Sequence, residues 1–233
     1  MVKHHRRAGQ NIRKLALKRR FKALTFFATA GLVVVLPIFL VRIFDDFLKE
    51  LSADSPAQSG TSLDIPLIFY GMLLAIALGL VANGMALWKR ANRADQGARG
   101  EEEISRELSQ LELEGWTFEY GMRLGNRLGD ADIVCISPRS KAYVIDVKSH
   151  KGVVISDGKQ LIRRMGQQTY PFEKDFVKQV MQQALQVHQQ KGLKFVTPIL
   201  VFSNARVSVP NGILRKVHIA ERSELITLLK SLG

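Results

Sequence analysis

Three side chains in the stretch GDADIVCISPRSKAYVIDVKSHKG, residues 129–152, are of the types that bind a hard cation and a phosphate: Asp132, Asp146 and Lys148. Residues 130–137 and 141–148 are apolar runs that predict two strands, and Pro138-Arg139-Ser140 between them is short enough for a hairpin turn. Side chains two apart on a strand point the same way, so Asp146 and Lys148 share a face, roughly 6.6 Å apart along it. Asp132, on the neighbouring strand, is placed to face them across the ladder. Magnesium takes oxygen ligands in octahedral geometry, commonly one or two carboxylates together with waters and phosphate oxygens. Asp132 and Asp146 are the expected carboxylates, with the carbonyl of Val147 as a further ligand. Such a cation would activate water and clamp phosphate oxygens, while Lys148 orients that water or offsets charge developing at phosphorus. Asp130 shares a face with Asp132 and is the alternative ligand. A surface ion pair is the alternative for Asp146 and Lys148, although a charged pair closing the run Ala142-Tyr143-Val144-Ile145 is poorly placed to serve solubility alone.

The elements that must position these residues follow from periodicity. A polar linker is expected over 89–97, then a helix over 100–114 with Ile104, Leu108 and Leu111 at helical spacing and three acids, Glu101 to Glu103, in a first turn that suits them electrostatically. Residues 116–123 read as a strand, 125–129 as a turn, and Val153-Val154-Ile155 as an extension of the sheet before a turn at Asp157-Gly158. A glutamine-rich helix over 174–190 has one apolar stripe, Phe176, Val180, Ala184 and Val187. Strands over 198–202 and 216–219 and a helix over 221–232 complete the chain. Asp157-Gly158-Lys159 lacks the other residues of a phosphate loop. His150, His188 and His218 are dispersed and read as structural, and Cys135, the single cysteine, excludes an intrachain disulfide and a zinc cluster.

Composition divides the 233 residues unevenly. Residues 1–22 hold nine Lys or Arg and no acid, and form a basic arm. The run 23–41, ALTFFATAGLVVVLPIFLV, is charge-free, as is 65–88. Nineteen residues at about 1.5 Å each nearly match the hydrocarbon thickness of a bilayer, so two transmembrane helices are expected. Pro37 is a candidate kink and Pro66 a candidate helix start. A cleaved signal peptide is disfavoured because the first apolar run is too long and no cleavage site follows it closely. A buried soluble helix is disfavoured for the second because no partner in the chain is large enough to cover it. The loop 42–64 carries five acids against two bases, whereas bases crowd the opposite flanks. By the positive-inside rule both termini are cytoplasmic, anchored in the plasma membrane, with the arm against anionic lipid. From Lys89 onward, 23 basic residues stand against 16 acidic ones. Lys151, Arg163 and Arg164, with Lys141 and Lys159, surround the site in sequence and are expected to hold phosphates largely independently of base sequence.

The order helix, three strands, helix, strand, with Asp132 on one strand and Asp146-Val147-Lys148 on the next, resembles the PD-(D/E)xK nuclease superfamily, and more closely the nuclease-related domain (NERD) family. Gly97-x-x-Gly100-Glu101 is similar to that family's opening motif. Ala131-Asp132-Ile133-Val134 is similar to its aspartate strand. Ile145-Asp146-Val147-Lys148 followed by Gly152 is similar to its acid-x-lysine strand, with Asp where Glu is more frequent. Gln179 falls where the family carries a helical glutamine. The resemblance covers about 97–232. It implies an α/β, restriction-endonuclease-like αβββαβ core, behind a transmembrane helical hairpin, with Glu101 adding a carboxylate and Gln179 positioning water or backbone.

The expected activity is therefore a membrane-anchored, Mg2+- or Mn2+-dependent nuclease with Asp132, Asp146, Lys148, Glu101 and Gln179 as its catalytic set, acting on nucleic acid, DNA foremost. A homodimer is compatible with this reading. The alternative is a non-catalytic module of the same fold that tethers nucleic acid or a protein at the membrane, since membership of a fold family does not establish activity.

Overall fold

In a computed structural model, residues 9–52, 66–125 and 128–233 are described. The chain divides into two compact units, residues 15–93 and a second formed by 94–233 together with the described residues before Leu15.

The first unit is built from two long helices, α1 (Gln10–Ser52) and α2 (Leu67–Glu112), each continuing into the second unit. Both are long and apolar enough to cross a membrane. Their large apolar side chains face outward: Leu32, Val35, Phe39, Ile68, Leu74 and Leu78 among them are exposed, a surface that in water would be an aggregation hazard. The buried positions are small and recur every seven residues: Ala16, Ala23 and Ala30 on α1, Ala77 and Ala91 on α2. Gly84 continues the α2 series, and a Cβ there would lie 2.5 Å from the Phe27 ring. Small residues at this spacing let helices approach closely where no apolar driving force exists between them. Pro37 lies inside an unbroken α1, and α2 starts directly after Pro66. The acids Asp54 and Asp64 of the intervening loop fall outside the described residues, as do Lys3, Arg6 and Arg7 of the arm.

The second unit holds β1 (Thr117–Arg123), β2 (Asp130–Ile136), β3 (Ala142–Ser156), β4 (Leu161–Met165), β5 (Gln168–Pro171), α3 (Phe176–Lys191), β6 (Val196–Ser208), β7 (Ile213–Leu214), β8 (Val217–Glu221) and α4 (Leu225–Leu232). It is the expected α/β arrangement, a mixed sheet in the order β1-β2-β3-β6-β8-β7 with the β4–β5 hairpin branching from β3. The β2–β3 turn is closed by Ser137 N–H on Lys141 O and by Ser140 at positive φ.

β3 is central, antiparallel to β2 and parallel to β6. Its alternation divides the core. Tyr143, Ile145 and Val147 pack with Ile104, Leu108 and Leu111 of α2 and with Leu225 and Leu229 of α4. Val144 packs with Val180, Ala184 and Val187 of α3, so Asp146, two residues on, points to the α3 side. α3 starts on Asp175, whose carboxylate accepts from Lys178 N–H, and ends at Gly192 in the left-handed region.

Three expectations are corrected. Residues 89–97 are not a linker but part of α2, which runs unbroken to Glu112. Glu101 to Glu103 are consequently inside a helix and owe nothing to a helix start. Residues 10–22 of the arm are likewise the beginning of α1. The β4–β5 hairpin is an addition that periodicity did not reveal. It leaves β3 after a register shift between Lys148 and Lys151.

Gly152 sits at this departure with φ +103, and a Cβ there would stand 2.6 Å from Arg164 O. Gly152→Ala should destabilise the fold by about 1–3 kcal/mol and loosen the hairpin, read by thermal unfolding and by amide exchange across 161–171. An unchanged melting temperature with unchanged exchange would contradict this packing.

Candidate active site

The site lies where β2 and β3 part. Their ladder ends at the pair Ile133–Ile145, and the next inward amide on β3, Val147 N–H, donates instead to Asp132 Oδ2 at 2.7 Å. A carboxylate thus replaces a strand neighbour, which satisfies the amide and fixes Asp132 beside Asp146. Asp146 is 1% exposed. Lys148 Nζ lies 2.6 Å from its Oδ2 as an ion pair. The ammonium is therefore the partner of Oδ2. The Lys148 ammonium also sits 4.8 Å above the Phe176 ring, which holds it against α3. The pair the sequence offered as a surface alternative is a buried one.

On the other carboxylate oxygen, Gln183 Nε2 donates to Asp146 Oδ1 at 3.3 Å and reaches Asp130 O at 3.5 Å. Gln183 is 1% exposed and its Oε1 has no partner among the described residues. The helical glutamine in contact with the acids is therefore Gln183, one turn beyond Gln179, which is half-buried. The signal was available. At about 100° per residue, Gln183 falls at the margin of the stripe of Phe176, Val180, Ala184 and Val187, and Gln179 about 40° further out.

Glu101 arrives from α2 because Gly100 permits a close approach: a Cβ there would meet Ser203 Oγ at 2.6 Å and Ser149 Cβ at 3.4 Å. Gln96 Nε2 donates to Ser149 O at 2.6 Å on the same contact. Glu101 is 9% exposed, and its Oε2 accepts from Gly9 N–H at 3.0 Å. Burial pushes its carboxyl up to about 7, the Gly9 amide opposes this, Asp146 adds to it and Lys148 opposes it. Asp132 is raised well above the usual carboxylate range by burial, then by the charges of Asp146 and Glu101. Asp146 thus acts on both other acids, and Glu101 lies in a part of α2 well past the apolar run 65–88.

Lys151 is exposed at the shift in β3, and Arg163 and Arg164 pair with Val154 and Val153 on the hairpin. Arg163 stacks 5.9 Å over the Tyr170 ring. His150, against Phe172 and Phe176, is lowered by burial and then by the charges of Arg163 and Lys148, so the hairpin cation acts on the same region as the site lysine. Asp130 contributes its carbonyl to Gln183.

Among the described residues, no three acidic, histidine or cysteine side chains form a metal cage by themselves. A magnesium ion requires less, two carboxylates and waters. Asp146, buried and beside the further acids Asp132 and Glu101, is a donor of the hard, anionic kind such an ion takes. The residues fit.

Residues 96–203 match the family model of the nuclease-related domain. No curated protein and no solved structure matches the chain. The matched stretch contains the three acids, Lys148, Gln179 and Gln183, and begins within the polar part of α2. Residues 96–203 are thus a nuclease-related domain of the NERD family, preceded in the sequence by two apolar runs.

Proposed function

We propose that this protein is a membrane-anchored nuclease, dependent on Mg2+ or Mn2+, that hydrolyses phosphodiester bonds, with DNA as its substrate. The observation that carries the reading is the buried Asp146, paired with Lys148 and placed in a nuclease-related domain beside two acids that burial, and then the charge of Asp146, hold above the usual carboxylate range. Asp132 and Asp146 would hold the cation. When bound, such an ion supplies an acidified water and a counter-charge for the phosphate. Gln183 keeps Asp146 from rotating. Lys148, beside Asp146, would offset the negative charge that grows at phosphorus. Lys151, Arg163 and Arg164 hold neighbouring phosphates and keep the strand along β3 and the hairpin.

The outward-facing apolar side chains of α1 and α2 support the anchor. The basic flanks against the acidic loop support placing both termini and the nuclease-related domain in the cytoplasm, beneath the plasma membrane. Anionic lipid is the expected partner of the arm, and a homodimer is compatible with the fold. The Asp146–Lys148 pair favours a second reading, a non-catalytic module that keeps the fold and tethers nucleic acid, because a closed ion pair is what such a module would retain.

Cleavage of a labelled duplex by the full chain in detergent micelles separates the two. Asp146→Ala and Lys148→Ala should each lower the rate by at least about 100-fold while leaving duplex affinity within a few fold. Arg163→Ala with Arg164→Ala should instead weaken binding and flatten its salt dependence. Cleavage by Asp146→Ala at the wild-type rate would remove the acid from the mechanism, and no cleavage by any form would leave the tether.

The raised carboxyls give a pH signature. Glu101 and Asp132 retain in the fold protons that the unfolded chain releases, so their contribution to stability is full below the ordinary carboxylate value. The share of Glu101 is lost as pH rises through about 7, and that of Asp132 as pH rises through its own raised value. In chelator, the melting temperature should fall between pH 5 and pH 8, less steeply in Glu101→Gln. Mg2+ or Mn2+ should restore it more at pH 8 than at pH 5, and not in Asp132→Asn/Asp146→Asn. Equal gains at both pH values would argue against a cation held by these acids.

A further inference from the structure

The segment ahead of α1 is 92 residues away from Glu101 in sequence, yet it meets Glu101 in the fold. Gly9 is buried, and its carbonyl accepts the first bond of α1, from Arg13 N–H at 2.9 Å. Its own N–H, one of those a helix start leaves without an internal partner, donates to Glu101 Oε2. Gly9 lies at φ +71, and a Cβ would stand 2.8 Å from Ala98 O and 3.3 Å from Ala98 Cα, so only glycine fits between the α1 start and α2. One turn on, Arg13 Nη2 binds Glu102 Oε2 at 2.6 Å, a second tie between the same two stretches. A buried amide aimed at a buried carboxylate is a stronger bond than one between neutral groups, and it fixes which way the carboxylate points.

We infer that Gly9 is a positioning residue of the active site, and that the turn opening α1, from Gly9 to Arg13, is part of the nuclease-related centre. The inference rests on the proposed role of Glu101. Gly9 touches neither cation nor phosphate; it holds Glu101 turned so that its charge reaches the space shared with Asp132 and Asp146. The basic side chains of the arm are not needed for this, because the donor is a backbone amide. The family match begins at residue 96 and does not include Gly9.

Two measurements on the full chain in detergent micelles test it. The first is hydrogen exchange of the Gly9 amide by mass spectrometry. The amide should be protected in wild type and in Glu101→Gln, which keeps an acceptor oxygen, and should exchange at least about tenfold faster in Glu101→Ala. Equal exchange in wild type and Glu101→Ala would overturn the contact. The second is a double-mutant cycle read as Mn2+ affinity by calorimetry. Gly9→Ala should weaken binding about tenfold, what one hydrogen bond to a charged group amounts to, and should weaken it no further in a Glu101→Gln background. The same fold-loss in both backgrounds would make Gly9 merely structural and overturn the inference, as would a Glu101→Gln protein that binds Mn2+ like wild type. If Gly9→Ala does not fold, Arg13→Ala, which loosens the same segment through Glu102, is put through the same cycle with a smaller loss expected. Failure of the nuclease reading is read separately, in the cleavage rate of Asp146→Ala.

Discussion

Placing the carboxylate of Asp146 in the interior is the demand that most of this domain answers. Withdrawing such a charge from water costs on the order of several kcal/mol even after the protein relaxes, unless partners replace the lost hydration. The partners come from different parts of the chain: Lys148 from the same strand, Gln183 from the helix laid across it, and the flanking β2 and β6 strands that exclude water. Among the described residues the Gln183 side-chain oxygen has no hydrogen-bond partner.

The neighbouring acids are coupled to this demand. Asp132 is tied to the backbone of β3 through Val147, so it cannot turn away from Asp146, and Glu101 is held by contacts on both sides of α2. Beyond burial, Asp146 raises the proton affinity of both, and Glu101 that of Asp132. The arrangement stores electrostatic repulsion in rigid elements, a strand, a strand and a helix, and not in loops that would relax.

Much of this was legible from residue types and spacing. The strands bearing Asp132, Asp146 and Lys148 were readable because apolar runs bounded by a Pro-Arg-Ser turn leave little choice of register. What was missed has physical reasons. Residues 89–97 are polar and suggest a linker, yet they contain good helix formers and no breaker before Gly97, so an incoming helix simply continues. Gln183 was passed over because a glutamine among glutamines carries no hydrophobic signal, although its angle on α3 places it with Val180 and Val187. The seven-residue series of small side chains in α1 and α2 was present in the letters but hidden by the large apolar residues around it, which face outward. No pattern local to either segment could reveal Gly9 and Glu101 as neighbours; only the fold brings them together.

That last separation bears on how the protein is made. The ribosome releases Gly9 first and Glu101 more than ninety residues later, after both apolar helices have emerged. Asp146 follows, and the β6 strand that flanks it is not complete until Ser208. Its parallel pairing with β3 also has to wait for the α3 crossover, the slowest kind of contact to form. The two helices are therefore available for insertion into a bilayer while the acids are still scattered along an unfinished chain. The centre assembles last, and only on a polypeptide whose two apolar runs have already been synthesised.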